Sequence, residues 1–203
     1  MNFYDRWVLP LVLDLVMRQH QLEKFRRRVV AAANGRVLEV GIGSGLNFHL
    51  YGKQVEIVFG IDPSPRLLAI ARRRAVAAGI HSDFLLGSAT AIPLADNTVD
   101  TVVMTWTLCS IPEPLVALRE MRRVLKPGGK LFFVEHGLSS EPKVERWQHR
   151  LTPAWSHIAG GCHLDRKVDE LIRSAGFDLT ELRTEYVQGP RTMAYMYEGC
   201  ARP

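Results

Sequence analysis

Short apolar runs alternate with longer amphipathic stretches along most of this chain. Each run is rich in β-branched or aromatic residues, which favours a buried strand; the runs are 37–40, 55–62, 83–86, 101–106 and 131–136. Between them, 65–78 and 112–125 have helical periodicity, and Pro65 and Gly79 mark the two ends of the first helix. Strands that alternate with helices in this order predict an α/β fold with a doubly wound parallel sheet.

The rest of the chain is less regular. The stretch 144–158 predicts one or more helices with a break at Pro153, and 165–174 predicts another helix. Two final strands are predicted over 177–187 and 192–200. Since no repeat or change of composition divides the chain, we predict a single domain over 1–203.

Three alternate glycines, Gly41, Gly43 and Gly45, follow the first strand. Glycines remove the Cβ atoms that would hold a ligand away from the backbone, and they accept positive φ angles without steric cost. We expect a helix to begin near Ser44, with its free N–H groups facing the same crevice. The sequence therefore predicts a ligand-binding turn.

Spacing and charge indicate which cofactor this turn binds. The third glycine comes two residues after the second, whereas the dinucleotide fingerprint needs three, and Leu46 occupies that position. Glu39, just before the turn, would repel a pyrophosphate but attract the sulfonium and ammonium groups of S-adenosylmethionine. Asp62 ends the second strand, 21 residues after Gly41, which suits hydrogen bonds from ribose hydroxyls. The alternative for Asp62 is a plain helix N-cap.

Composition is that of an ordinary soluble globular protein, with 47% hydrophobic and 23% charged residues. The net charge of +5 comes from arginine clusters such as 26–28 and 72–74, which lie in helical patterns. We interpret them as solvated helix faces, with an anionic membrane or nucleic acid surface as the alternatives. No nucleic acid partner is expected.

The three cysteines are Cys109, Cys162 and Cys200, and they form no CxxC pair. A disulfide framework or structural zinc site is therefore not expected, and a reducing, cytoplasmic location fits better. Cys162 and His163 are adjacent but lack further ligands at metal spacing, so no metal is expected.

The segment 1–33 begins with an apolar stretch that Pro10 and Asp14 interrupt. That stretch is too short to span a bilayer and has no cleavage site, which predicts neither an anchor nor a secretory signal. Two interpretations remain open. The segment is either a helical lid over the cofactor, with Tyr4 or Trp7 in its wall, or an interfacial helix in peripheral contact with a membrane.

The motif Glu39-Val40-Gly41-Ile42-Gly43-Ser44-Gly45, together with Asp62-Pro63-Ser64 and Lys126-Pro127-Gly128-Gly129, resembles the class I S-adenosylmethionine-dependent methyltransferases. This resemblance implies S-adenosyl-L-methionine as cofactor. It also implies a Rossmann-like sheet of seven strands in the order 3-2-1-4-5-7-6, mostly parallel with an antiparallel last strand.

A narrower likeness lies in 107–111, 133–136, 151–155 and 160–164, which resemble the branch of microsomal alkyl thiol methyltransferases and their bacterial relatives. It implies methyl transfer to a small, largely apolar acceptor, preferably a thiol or sulfide. Phosphatidylethanolamine N-methylation and quinone C-methylation remain alternatives. A cofactor-binding, membrane-associated module without turnover is the non-enzyme alternative.

The predicted cofactor residues follow the carboxyl ends of the strands, where ligands bind in open α/β sheets. They are Glu39, Gly41, Gly43, Gly45, Asn47, Asp62, Pro63, Ser88, Ala89, Thr105 and Leu108. Ser88 stands where related methyltransferases commonly have an Asp that binds the adenine amino group. Its hydroxyl or the Ala89 N–H is expected to contact the ring instead.

The predicted acceptor residues come from the ends of the fourth and fifth strands, the N-terminus and the aromatic segment 147–163. They are Tyr4, Trp7, Cys109, Trp147, Trp155 and His157. His136, which ends the fifth strand, is the first candidate for a base that deprotonates a thiol; His149, His157 and His163 follow. The alternative is that each histidine is structural.

Overall fold

The computed structural model describes residues 9–203, so Tyr4 and Trp7 lie outside the described residues. Among the described residues, seven strands form one sheet: β1 (Gly35–Val40), β2 (Val55–Asp62), β3 (Ser82–Leu86), β4 (Val99–Thr105), β5 (Leu125–His136), β6 (Asp178–Tyr186) and β7 (Tyr195–Arg202). Their order is β3-β2-β1-β4-β5-β7-β6. The first five strands are parallel, and β7 is antiparallel to both of its neighbours. The predicted fold class and strand order are confirmed.

Helices cover both faces of this sheet: α1 (Leu9–Met17), α2 (His20–Val30), α3 (Pro65–Ala78), α4 (Pro114–Val124), α5 (Pro142–Ile158) and α6 (Val168–Ser174). One apolar cluster packs Leu38 and Met104 with α4 and α6. The other packs Val37 and Val103 with α2 and α3. Successive strand residues point to opposite faces, so a buried parallel strand needs an unbroken apolar run to serve both clusters.

The third helix follows the local sequence signals. Ser64 precedes it, and its hydroxyl accepts a hydrogen bond from Leu67 N at 3.3 Å; Pro65 is the first helical residue. Gly79 ends the helix with a φ of +67°, a left-handed conformation that glycine adopts readily. The predicted bounds 65–78 are confirmed.

The helix expected from Ser44 onward does not form. Gly45 has a φ of +79°, and it is followed only by a single 3-10 turn, Phe48–Leu50. Tyr51, directly after this turn, is already extended, and β2 begins at Val55. The expected helix N-terminus is therefore absent, and ligand binding at this turn must rest on the glycines and nearby side chains.

The predicted break at Pro153 is wrong, because α5 is continuous across it. A proline removes one N–H group and one helical hydrogen bond. Packing of the buried face offsets that loss, and Gln148 is its anchor: its amide donates to Gly137 O at 2.9 Å and accepts from Ser139 N at 2.8 Å. One turn later, the Thr152 hydroxyl donates to Gln148 O at 2.8 Å.

The interpretation of 26–28 as a solvated face is wrong for Arg26, which is 5% exposed. Its guanidinium lies 4.8 Å from the ring centroid of Trp106, a stacking arrangement that arginine's planar head group permits. Arg28 pairs with Glu198 and Glu185 on the last two strands. The cluster thus fastens α2 to the sheet.

Candidate active site

The three glycines of the turn are required for different reasons. A Cβ atom on Gly41 would collide with the side chain of Thr107, and one on Gly45 would lie 2.6 Å from the ring of Phe48. A Cβ atom on Gly43 would meet only Gly41 O, at 3.9 Å. Gly43 is therefore the glycine whose backbone faces open space, as a bound cofactor requires.

Asp62 lies beside that space at the end of β2. Its Oδ2 accepts a hydrogen bond from Gly43 N at 3.0 Å, and its Oδ1 accepts one from Ser64 N at 2.8 Å. Burial raises the pKa of Asp62 above its usual value, although both backbone donors oppose that shift. Because Ser64 caps α3, Asp62 is not the plain N-cap of the alternative interpretation.

Glu39, at 2% exposure, lies in β1 just before the turn. Its carboxylate accepts hydrogen bonds from Asn47 Nδ2 at 2.8 Å and from the Tyr51 hydroxyl at 2.6 Å. Burial raises the pKa of Glu39 to about 7 despite these donors. Within residues 9–203, the buried Asn47 Oδ1 has no hydrogen-bond partner. A carboxylate beside an unsatisfied carbonyl oxygen suits a cationic ligand group such as an ammonium.

The other predicted cofactor residues lie at the carboxyl ends of neighbouring strands. The Thr105 hydroxyl accepts from Asn47 Nδ2 at 3.2 Å, which joins β4 to the glycine turn. Beyond β3, Ser88 is exposed and its hydroxyl accepts from Thr90 N at 3.2 Å, while Ala89 is buried. Pro63 is exposed beside Asp62.

Two important residues, one near the end of β5 and one just after β4, were not among the predicted site residues. Glu135 is fully buried, and its Oε1 accepts from Thr107 N at 2.7 Å and from Leu108 N at 3.0 Å. Burial raises the pKa of Glu135 to about 7. Trp106 has a φ of +49°, a strained value for a tryptophan that is typical of functional sites. The sequence did offer one signal for a functional role of Glu135, because it is a charged residue within the apolar run 131–136.

On the predicted acceptor side, the structure brings together Cys109, His136, Trp155 and a residue that was not predicted, Cys162. His136 Nε2 lies 3.0 Å from Cys162 Sγ, and Trp155 Nε1 donates to the same sulfur at 3.3 Å. Cys109 is buried just after β4. The ends of β4 and β5 and the loop after α5 thus meet, as expected from the sequence, and their contact with an acceptor stays a prediction.

Two of the predicted acceptor residues are exposed and therefore do not line a buried pocket. Trp147 is 56% exposed, with the Arg150 guanidinium 5.6 Å from its ring centroid. His157 is also exposed, and its Nδ1 lies 2.6 Å from Pro153 O. The buried face of the continuous helix α5 is formed instead by Val144, Gln148 and Thr152.

Helix α1 is tied to the glycine turn through Asp14. The Asp14 carboxylate accepts hydrogen bonds from the Ser44 hydroxyl and, at 2.9 Å, from Arg74 Nη1. Arg74 also donates to Ser44 O at 2.9 Å.

Over the described part of the chain, no helix has the length and apolar character needed to cross a bilayer.

We expect Asp14→Ala to loosen α1 while the sheet stays folded. Hydrogen bonds to charged groups contribute about 1.5–3 kcal/mol, so hydrogen exchange at α1 amides should accelerate about tenfold or more. Mass spectrometry of α1 peptides measures this. The control is Glu23→Ala, which removes an exposed ion pair with Arg27 in α2. Equal exchange in both variants would show that Asp14 does not hold the helix.

A family model described as a methyltransferase domain matches residues 38–133. The fold is also that of a solved S-adenosylmethionine-dependent methyltransferase from Thermotoga maritima, with a TM-score of 0.68, 24% identity, and coverage of 98% of each chain. The chain belongs to the class I S-adenosylmethionine-dependent methyltransferases. It is an enzyme, and its cofactor is S-adenosyl-L-methionine.

Curated relatives divide among three acceptor classes. The chain is 37% identical over 153 residues to "Thiol S-methyltransferase TMT1B" of Rattus norvegicus, covering 72% of this chain and 61% of that protein. It is 39% identical to a "Demethylmenaquinone methyltransferase" of Renibacterium salmoninarum, covering 61% and 52%. It is also 39% identical to a "Phosphatidylethanolamine N-methyltransferase" of Cereibacter sphaeroides, covering 56% and 58%. The chain therefore spans about three fifths or less of these three proteins.

Proposed function

We propose that this methyltransferase methylates the sulfur of a small, largely apolar thiol. The observation that carries the proposal is the similarity to the thiol S-methyltransferase, which covers 61% of that relative's own length, against 52% and 58% for the quinone and phospholipid enzymes. The sulfur and imidazole groups on the acceptor side support it, because a thiol needs help to lose its proton near neutral pH.

The chain's own residues position and polarise the reactants. The cofactor supplies a methyl carbon bonded to a positive sulfonium sulfur, which an in-line nucleophile can attack. Gly43 leaves room for it, and the role we assign to Asp62, beside Gly43, is to accept hydrogen bonds from the ribose hydroxyls. Glu39 and Asn47 offer negative potential to its cationic end. Such positioning supplies much of the rate of a displacement reaction.

His136 was predicted as the base for the acceptor. Its Nε2 is engaged with Cys162 Sγ, and its Nδ1 is buried without a partner among the described residues. The proposal therefore does not depend on His136 as a base.

A second candidate is an acceptor presented at a membrane, such as a phospholipid or a quinone. Three apolar side chains on α1, Val12, Leu15 and Val16, are exposed. An exposed apolar helix face on a protein of net charge +5 favours peripheral contact with an anionic bilayer.

Parallel assays distinguish the two candidates. The full chain is incubated with methyl-labelled cofactor and, separately, with an alkyl thiol, with demethylmenaquinone in detergent, and with vesicles containing phosphatidylethanolamine. We expect labelled thioether to form fastest. Transfer only to the quinone or to the phospholipid would replace the thiol proposal with the second candidate.

We expect Asp62→Ala to weaken cofactor binding about 10- to 150-fold, since a hydrogen bond to a charged group contributes about 1.5–3 kcal/mol. Titration calorimetry measures the affinity. Asp100→Ala is the matched control, because Asp100 also accepts a backbone N–H, from Arg36 at 2.9 Å, but lies at the amino end of β4. Unchanged affinity in Asp62→Ala would remove Asp62 from the cofactor site.

A further inference from the structure

Three side chains that can ligate a metal converge on the acceptor side of the site. One donor atom from each of Cys109, His136 and Cys162 lies within 4.8 Å of the other two. They come from the 3-10 turn after β4, the end of β5 and the loop after α5. They are far apart in the sequence, which is why sequence spacing alone predicted no metal.

The backbone holds this cluster in place. His163 N donates a hydrogen bond to Cys109 O at 2.9 Å, which pairs the loop after α5 with the 3-10 turn. A Cβ atom on Gly161 would lie only 3.3 Å from Ser110 O, so this loop packs closely on the turn. Arg166 donates to Leu108 O from the other side of the turn. The convergence of the two cysteines therefore follows from the fold and not from a chance rotamer.

The donor set is the one that zinc prefers. Two thiolates would balance the charge of a divalent cation, and the neutral imidazole adds a third ligand. In a tetrahedral zinc site, sulfur and nitrogen donors lie about 3.6–3.8 Å apart. The cluster extends from 3.0 Å, between His136 Nε2 and Cys162 Sγ, up to 4.8 Å, so small side-chain movements suffice.

Trp155 adds a feature of metal-bound thiolates. Its indole N–H donates to Cys162 Sγ at 3.3 Å, and such donors orient a ligating sulfur and tune its charge. Cys109 is buried, and His136 is half-buried. Three protein ligands leave the fourth position of a tetrahedral ion open, which distinguishes catalytic zinc sites from closed structural ones.

We propose that Cys109, His136 and Cys162 bind a zinc ion whose fourth ligand is the sulfur of the acceptor thiol. The acceptor part rests on the proposed function, whereas the metal part does not. His136 then acts as a ligand and not as the general base that the sequence suggested.

The chemistry balances without a redox step. The thiol releases its S–H proton to solvent as its sulfur binds zinc. A lone pair of that sulfur then forms the new S–C bond to the methyl carbon. The bond from this carbon to the sulfonium sulfur breaks, and its electron pair stays on the cofactor sulfur. The products are a methyl thioether and neutral S-adenosylhomocysteine, and zinc keeps its charge throughout.

Cobalt titration tests the metal site without relying on activity. The full chain is purified under reducing conditions, freed of metal with a chelator and titrated with Co²⁺. We expect one Co²⁺ per chain, thiolate-to-cobalt charge-transfer absorption, and displacement of Co²⁺ by Zn²⁺. Cys109→Ser and Cys162→Ser should each weaken Co²⁺ binding by more than about 100-fold, because even the loss of an outer hydrogen bond costs 10- to 100-fold.

Matched variants separate ligation from general damage. Cys200→Ser changes a buried cysteine on β7 outside the cluster and should bind Co²⁺ like the wild type. Trp155→Phe keeps an aromatic ring but loses the N–H, and it should bind about tenfold more weakly. Cofactor affinity measured on every variant verifies that it is folded.

The outcomes discriminate between the two proposals. Three results would each overturn the zinc site. The wild type fails to bind Co²⁺ or Zn²⁺, binding survives both serine substitutions, or a Cys109–Cys162 disulfide is found in protein purified under reducing conditions. Cysteine-dependent binding without methylation of any thiol would retain the zinc site and contradict the thiol acceptor. Loss of thiol methylation on zinc removal, with cofactor affinity unchanged, would support both.

Discussion

Gly43→Val is expected to weaken cofactor binding about 100-fold. The backbone N of Gly43 donates to Asp62, and a Cβ atom at this position would project into the open space beside the turn. Branched methyl groups would fill volume that the cofactor needs, and overpacking of this kind costs about 1–3 kcal/mol. Titration calorimetry on the purified variant measures the loss.

Backbone strain must be separated from this steric effect. Gly43 has a φ of +55°, so any side chain there is strained whether or not a ligand binds. Gly79→Val is the matched control, because Gly79 has a φ of +67° and a Cβ atom there would have no neighbour within 4 Å. Both variants should lose stability, but only Gly43→Val should lose affinity. Equal affinities in the two variants would show that Gly43 does not border the cofactor.

The sequence predicted the sheet well because each strand carries its own local signal. Apolar residues of the runs 37–40 and 55–62 lie on both faces of the sheet, and both faces are covered by helices. Ser64, Pro65 and Gly79 set the bounds of α3 through contacts within one helical turn. Local patterns of this kind can be interpreted without knowing which distant residues pack against them. The order of the strands, in contrast, was predicted only from the family resemblance.

The errors arose where distant parts of the chain decide the outcome. Arg26 is buried because Trp106, from another element, stacks beneath its guanidinium. Pro153 does not end α5 because Gln148 anchors that helix to Gly137 and Ser139. Cys162 joins His136 only through the packing of a loop against the end of β4. No spacing rule along the chain reports these contacts.

For Glu39, the sequence indicated the chemical role of the side chain but not its burial. A carboxylate before the glycine turn predicted attraction to a cationic cofactor. The structure adds that this carboxyl is buried, with a pKa raised to about 7, so near neutral pH the free enzyme holds much of it in the protonated form. A cation placed beside it would favour the ionised form and lower its pKa. Binding of the cofactor should therefore release a proton from Glu39.

We accordingly expect cofactor affinity to rise with pH between about 5.5 and 7 and then to level off. Below the pKa of the free enzyme, each pH unit costs up to about tenfold, which gives a loss of up to about 30-fold at pH 5.5. The sign follows from the raised pKa: the protonated carboxyl stabilises the free fold at low pH, and that stabilisation is lost as pH rises through about 7.

Glu39→Gln should bind the cofactor more weakly at pH 7.5 and show little change in affinity across this range. Calorimetry in two buffers of different ionisation enthalpy measures the proton release directly, and the difference between wild type and Glu39→Gln separates Glu39 from Asp62, which is also buried and titrates at this site. Glu56→Gln, an exposed change on β2, should retain the wild-type pH profile. An identical pH profile in Glu39→Gln and wild type would place the cationic end of the cofactor away from Glu39, and the buried carboxylate would then serve only to hold Asn47 and Tyr51.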